Sequence, residues 1–258
     1  MSRLSRIRSE TGAGWRSFIR RRTAVFFTFF FPVILIVIFG ALVRTDPGDG
    51  GLFAEPAAYY VPGYLAVVVL FTPFSRMGSE VARHREGSRF EKLATTPLSR
   101  PEWLFAQTVV NAVIIAIASL LILALVVLLT GANITYSPLL IPYVLVGVVA
   151  FCGIGAMLGS YTDSQDGAIT ASNAIGLPLL FLSETFISLE QLPGWFEPFV
   201  NLSPLTYFSR GVRAATAPET TETAAVAGLD PAIANLGVLF AIAVVTFALG
   251  ARSIPQTD

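Results

Sequence analysis

The fold class this sequence predicts is all-α integral membrane. It comprises six transmembrane helices, an N-terminal helix lying in the membrane interface and one helical projection on the cytoplasmic side. Three observations predict it. First, 54% of the 258 residues are hydrophobic and only 13% are charged, where a soluble domain carries about 25% charged residues. So little polar surface leaves lipid as the solvent, and the mean hydropathy of +0.69 agrees. Second, six apolar runs are each long enough to cross a hydrocarbon core of about 30 Å as a helix. Third, the basic residues fall almost entirely on one side of those runs.

The elements follow in order. Residues 1–22, "MSRLSRIRSETGAGWRSFIRRR", hold seven arginines, with Leu4, Ile7, Thr11, Trp15 and Phe18 at helical spacing. A basic helix with one largely apolar stripe suits the membrane interface, although Gly12 and Gly14 weaken the helix. The apolar runs then cover about 23–43, 58–74, 103–130, 138–160, 168–188 and 231–251. Continuous runs of this length are expected to be helices, which satisfy their own backbone hydrogen bonds, and not the short alternating strands of a barrel. The first run ends without a small-x-small cleavage site and reads as a retained helix. In "GIGAMLGS", Gly155 and Gly159 form a small-xxx-small pair that permits close helix approach. Residues 189–230 read as an extracellular region, aromatic and proline-punctuated in its first half and small, polar and acidic in its second.

Orientation follows from Lys and Arg near the membrane ends. With the N-terminus inside, the inner segments hold 14 of the 17 basic residues, and the outer side keeps Arg44, Arg210 and Arg213 beside nine acids. Both termini are expected in the cytoplasm. Sixteen arginines against one lysine point to a GC-rich prokaryotic genome, hence to a prokaryotic plasma membrane.

Several chemistries are disfavoured. The 17 basic and 17 acidic residues balance, so nothing draws the chain as a whole to nucleic acid. One cysteine, Cys152, allows no disulfide within the chain, and no His/Cys/carboxylate cluster has metal-ligand spacing. The single histidine, His84, lies in the segment after the second run, away from any membrane-depth nucleophile, so a His-based catalytic triad is nearly excluded. A P-loop needs Gly before and Ser or Thr after its lysine. The only lysine, Lys92, stands between Glu91 and Leu93. If the chain's work consumes ATP, another subunit must supply the ATPase.

The segment 79–100 between the second and third runs is where the charge collects. From Glu80 to Leu93 the charges follow helical spacing, with Phe90 and Leu93 as a small apolar edge. Thr95, Thr96 and Pro97 stop that helix, and Ser99 is placed to cap the next, with Pro101 and Glu102 in its first turn. By pattern alone this is equally a solvated connector.

Here the sequence resembles the permeases of ABC-2 type exporters, including the multidrug exporters. These carry E-R-E-x-G-T-x-E-x-L-x-x-T-P-(L/M)-S-R-x-E after their second membrane helix. "RHREGSRFEKLATTPLSRPEW" matches at Arg85, Glu86, Glu91, Leu93, Thr96, Pro97, Leu98, Ser99, Arg100 and Glu102. Its glycine, Gly87, comes one place early, so Ser88 stands where the family has glycine. A second likeness, F-L-S-G-x-F-x-P-x-x-x-L-P-x-W followed by N-P-L-T-Y, falls on "FLSETFISLEQLPGWFEPFVNLSPLTYFSRGVR". There Glu184 replaces glycine, Ser188 proline and Ser203 asparagine.

The resemblance implies a half-transporter that forms a homodimer and pairs with two separate ATP-binding subunits. The partner subunits bind ATP and Mg, this chain holds no cofactor of its own, and an amphipathic or hydrophobic substrate moves outward. It implies that segment 79–100 is a coupling helix, with Glu86, Gly87, Glu91, Leu93, Thr96 and Pro97 docking on the ATP-binding subunit. A carboxylate near the end of a membrane run is costly, so Glu184 is read as a gate or substrate contact paired with Arg210 or Arg213, or as a group reaching the outer interface. Asn111 and Asn173, inside runs three and five, are inter-helix hydrogen bonds or polar points on the substrate path. A channel-like or scaffold membrane protein without an ATPase partner is the alternative.

Overall fold

The computed structural model describes residues 2–38, 57–132, 134–186, 194–216 and 230–255. Within them the secondary structure is helical: α1 Arg3–Arg20, α2 Arg22–Ile36, α3 Val61–Glu86, α4 Arg89–Ala94, α5 Arg100–Thr130, α6 Leu140–Tyr161, α7 Gln165–Phe181, α8 Glu197–Leu202, α9 Pro204–Thr216 and α10 Pro231–Ser253. Four stretches are long and apolar enough to cross a membrane: Ala58–Glu86, Arg100–Thr130, Leu140–Tyr161 and Pro231–Ser253. Two of the six expected crossings are shorter here. Helix α2 has 15 residues and α7 has 17. The ends of both expected runs (39–43 and 187–188) lie outside the described residues, as does much of the expected extracellular region, 189–193 and 217–229.

Helix α3 is the centre of the bundle. It packs on α2, α5, α6, α7 and α9, and its residues from Val61 to Leu70 are all buried. Helices α5 and α10 lie outside it and leave Leu120, Leu128 and Phe240 exposed. Such residues are at home against lipid tails, which are as apolar as they are. The α3–α6 crossing is close because Gly78 faces Gly155 and Gly159. A Cβ on Gly155 would lie 2.5 Å from the Phe74 carbonyl oxygen, and one on Gly159 would collide with the Gly78 backbone. The small-residue pair is therefore an intramolecular seam.

Helix α1 packs along α5. Arg6 donates to Glu102 at 2.8 Å, Gln107 donates to Glu10 at 3.0 Å, and Phe18 is buried with Val110 and Ile114. Gly14, which weakens the helix in isolation, lets the two backbones approach: a Cβ there would meet the Gln107 side chain at 3.0 Å. The far end of the stripe stays out, with Leu4 exposed.

Prolines sit inside three helices, Pro32 in α2, Pro73 in α3 and Pro178 in α7. Ser99 forms a capping box with Glu102 at the start of α5, as the sequence suggests, its own N–H bonding the carboxylate at 3.0 Å.

The segment 79–100 departs from expectation. Helix α3 does not end near Phe74 but runs on to Glu86. The chain turns at Gly87–Ser88, and α4 is a separate helix of six residues. A charge-bearing extension stays helical because Glu80 is paired within the bundle, and the break comes where Ser88 adopts φ 48°. Among the described residues, Ser88 and Glu184 (φ 53°) are the non-glycine residues at positive φ. These are the two places where the family pattern has glycine. A side chain in this region costs about 1–2 kcal/mol, part of which glycine returns as unfolded-chain entropy. Ser88→Gly is therefore expected to stabilise the detergent-solubilised protein by about 0.5–1 kcal/mol, read as a higher midpoint in thermal unfolding.

Candidate functional site

Three polar regions are built on this frame. The first is the α4 end of the bundle. Glu86, Gly87, Glu91, Thr96 and Pro97 are exposed there. Leu93 is half-buried and packs against the core, and Phe90 is buried, 5.2 Å from the His84 ring and 5.3 Å from Trp103 between ring centroids. The apolar edge of Phe90 and Leu93 thus packs toward the bundle, and the exposed side chains of α4 include Arg89, Glu91 and Lys92. Arg85 and Glu86 fasten this corner to its neighbours. Arg85 donates to the carbonyls of Ser160 (2.8 Å) and Thr162 (2.9 Å) at the end of α6, and Glu86 accepts from the Gln165 N–H (3.0 Å) at the start of α7. Those groups lack intrahelical partners at helix ends, so each bond satisfies an otherwise orphaned atom.

The second region is a groove of about 1080 Å³ between α2, α3 and α7, continued at one end by the last turn of α1. Its walls are apolar (Phe27, Phe31, Val67, Phe71, Leu177), whereas its α4 end holds Arg20, Arg21, Arg22, Arg76 and Glu80. Glu80 is paired with Arg83, and its other oxygen lies 3.8 Å from Arg21. By sequence, Arg76 and Glu80 fall in the inner segment after the second apolar run, where Glu80 opens a helix of spaced charges. The clue against that was the interleaved small and apolar residues Met77, Gly78, Val81 and Ala82, all buried. Asn173 is exposed on α7 and lines the groove. Asn111 does not: it is fully buried and donates to the Gln107 carbonyl at 3.1 Å and to Cys152 Sγ at 3.4 Å, tying α5 to α6.

The third region lies where α7 ends. Arg210 of α9 holds both oxygens of Glu184, Nε to Oε2 at 2.6 Å and Nη2 to Oε1 at 2.8 Å, and its Nη1 donates to Asn201 Oδ1 at 2.9 Å. Arg213 donates to the Glu184 carbonyl oxygen at 2.7 Å and stacks on Tyr59, 4.1 Å from the ring centroid. Fork-on-carboxylate pairing of this kind is strong and directional. The bonds to Glu184 push the Arg210 guanidinium above its usual range. Ser203 caps α9 by accepting from the Leu205 N–H at 3.2 Å, as asparagine would, and meets Ser183 Oγ at 2.6 Å. Glu184, Arg210 and Arg213 thus come together, apart from the groove.

The family model described as ABC-2 type transporter matches residues 7–216. Relatives of the chain share about a quarter of its residues. The "Probable doxorubicin resistance ABC transporter permease protein DrrC" of Mycobacterium tuberculosis is 24% identical over 77% of this chain and 70% of its own length. The "Probable multidrug ABC transporter permease YbhS" of Escherichia coli K12 is 24% identical over 76% of this chain and 51% of its own length. The "Daunorubicin resistance ABC transporter permease protein DrrB1" of Streptomyces coeruleorubidus is 24% identical over 70% of this chain and 64% of its own length.

Proposed function

Because the chain belongs to the ABC-2 type transporter family, we propose that it is the membrane subunit of an ATP-driven exporter. It works as a homodimer with two ATP-binding subunits and releases an amphipathic or hydrophobic substrate outward. The relatives' printed roles in drug resistance support that substrate class. In this reading α2 and α7 complete six crossings with the four long spans, the α4 end and both termini are cytoplasmic, and the membrane is a prokaryotic plasma membrane. ATP and Mg belong to the partner subunits. The groove is the substrate path, with Asn173 as a polar contact on it. Glu184, Arg210 and Arg213 close the outer end.

The observation that carries this reading is the α4 corner. Exposed Glu86, Gly87, Glu91, Thr96 and Pro97 lie at and around a six-residue helix, and next to it Arg85 and Glu86 bolt the end of α3 to α6 and α7. A push on that corner is delivered at once to the ends of two further helices, as interdomain coupling requires. Mixed surface charge there sets partner choice and association rate.

The test is co-purification with the ATP-binding subunit. Glu91→Arg changes only an exposed side chain and is expected to cut recovery of the ATPase and ATP-driven export by tenfold or more, while the variant itself still folds. If the wild-type chain captures no ATPase at all, the exporter reading fails.

A further inference from the structure

The groove is electrically lopsided in a way that transport alone does not require. Arg76 sits roughly 15 Å along α3 from its Glu86 end, at 1.5 Å per residue. That places a guanidinium inside one of the four apolar spans. Charged groups within a membrane span are costly and ordinarily paired. Among the described residues no carboxylate lies within 4.0 Å of Arg76; its close contact is the Phe18 ring, 5.7 Å from the guanidinium carbon to the centroid. Glu80, one turn on, attracts Arg76 electrostatically but is engaged directly by Arg83 and faces Arg21, so its one charge is shared. Four arginines line this end of the groove against one carboxylate, and the far wall is aromatic and aliphatic.

We propose that the groove between α2, α3 and α7 binds an anionic amphipath. Its phosphate or carboxylate headgroup is held by Arg21, Arg22 and Arg76, and its apolar tail lies along Phe27, Phe31 and Phe71. Guanidinium groups match such oxyanions with paired, charge-assisted hydrogen bonds. The low-dielectric wall beside them strengthens attraction for an anion and repulsion for a cation. The headgroup also adds counter-charge beside Arg76, which otherwise shares the single carboxylate of Glu80 with Arg83, His84 and Arg21. For the identity of the cargo the proposal rests on the exporter reading above; for binding it stands on the groove alone.

The experiment uses the full chain, with its ATP-binding subunit, in nanodiscs of neutral phosphatidylcholine. Binding of dodecyl phosphate, dodecyltrimethylammonium and inorganic phosphate is measured by calorimetry. Dodecyl phosphate is expected to bind at least tenfold more tightly than dodecyltrimethylammonium, and inorganic phosphate, lacking a tail, not measurably. Arg76→Gln and Arg22→Gln should each weaken dodecyl phosphate about tenfold and leave the cationic probe unchanged or tighter. Arg22 is exposed, so its variant keeps the test sound if Arg76→Gln fails to fold, and Arg76→Lys should restore most of the affinity. Equal affinity for the two charged probes, or variants that bind dodecyl phosphate as well as wild type, would overturn the proposal.

A second arm separates cargo from resident lipid. Stimulation of ATP hydrolysis by dodecyl phosphate supports an anionic cargo. Tight binding without stimulation, with phosphatidylglycerol co-purifying from cells, overturns the cargo assignment and leaves a lipid site. A chain that binds dodecyl phosphate selectively yet captures no ATPase refutes the exporter reading and not this one.

Discussion

Arg210→Ala is expected to lower stability by about 3 kcal/mol, seen as a marked fall in the thermal unfolding midpoint of the purified protein. The loss is larger than the worth of the pair itself, because truncating one partner leaves the other charge buried and uncompensated, a cost of about 3–5 kcal/mol in protein interiors. The lower end applies here because the Arg210 side chain keeps 23% exposure, against 7% for Glu184. Removing the carboxylate should do less harm. Glu184→Gly relieves the left-handed strain at φ 53°, worth about 1 kcal/mol, and leaves Arg210 with Asn201 and some access to water. The double variant Glu184→Gly with Arg210→Ala should therefore recover most of what Arg210→Ala loses. If the two losses simply add, the pair is not the buried unit its geometry describes.

Gly159→Leu should be more severe, with little folded protein recovered from the membrane. A Cβ at Gly159 has no room against the backbone of Gly78, and backbone cannot rotate away as a side chain can. Overpacking a tight interior contact costs about 1–3 kcal/mol even where neighbours can yield, and here the two central helices would have to separate. Gly237→Leu on α10 is the matched control: a Cβ there meets nothing within 4 Å, so yield and unfolding temperature should stay near wild type. Comparable recovery of both variants in fluorescence-detected gel filtration would show that the α3–α6 seam is looser than drawn.

Much of this architecture is legible in the sequence because apolar length and cap chemistry are local properties. The starts of α5 and α10 fall where Ser99 and Pro231 place them, and the glycine pair in α6 marks a close crossing. What escapes is whatever depends on a partner distant in sequence. Glu80 looks like the start of a solvated helix until Arg83 and Arg21 are seen around it, and that misplaces the end of α3. Phe90 and Leu93 look like a docking edge until Trp103 and His84 fill the space behind them. The Glu184 pairing was legible only as a choice between Arg210 and Arg213, and the structure divides the work: one takes the carboxylate, the other the backbone carbonyl. Two glycines that the family pattern has and this chain lacks, at Ser88 and Glu184, mark left-handed backbone that no periodicity could have disclosed.

The interior prolines bear on mechanics. Each removes an amide donor, so the carbonyls of Thr28 in α2, Val69 in α3 and Ala174 in α7 lose the hydrogen bond that would resist flexing. The three helices so weakened are those that wall the groove, while α5, α6 and α10 have no proline beyond their first turns. Bending stiffness is thus distributed unevenly around the bundle: three braced columns on one side, three jointed ones on the other. A load applied at the α4 corner finds its softest response in the walls of the groove, and the bundle can change the width of that groove without repacking its stiff half.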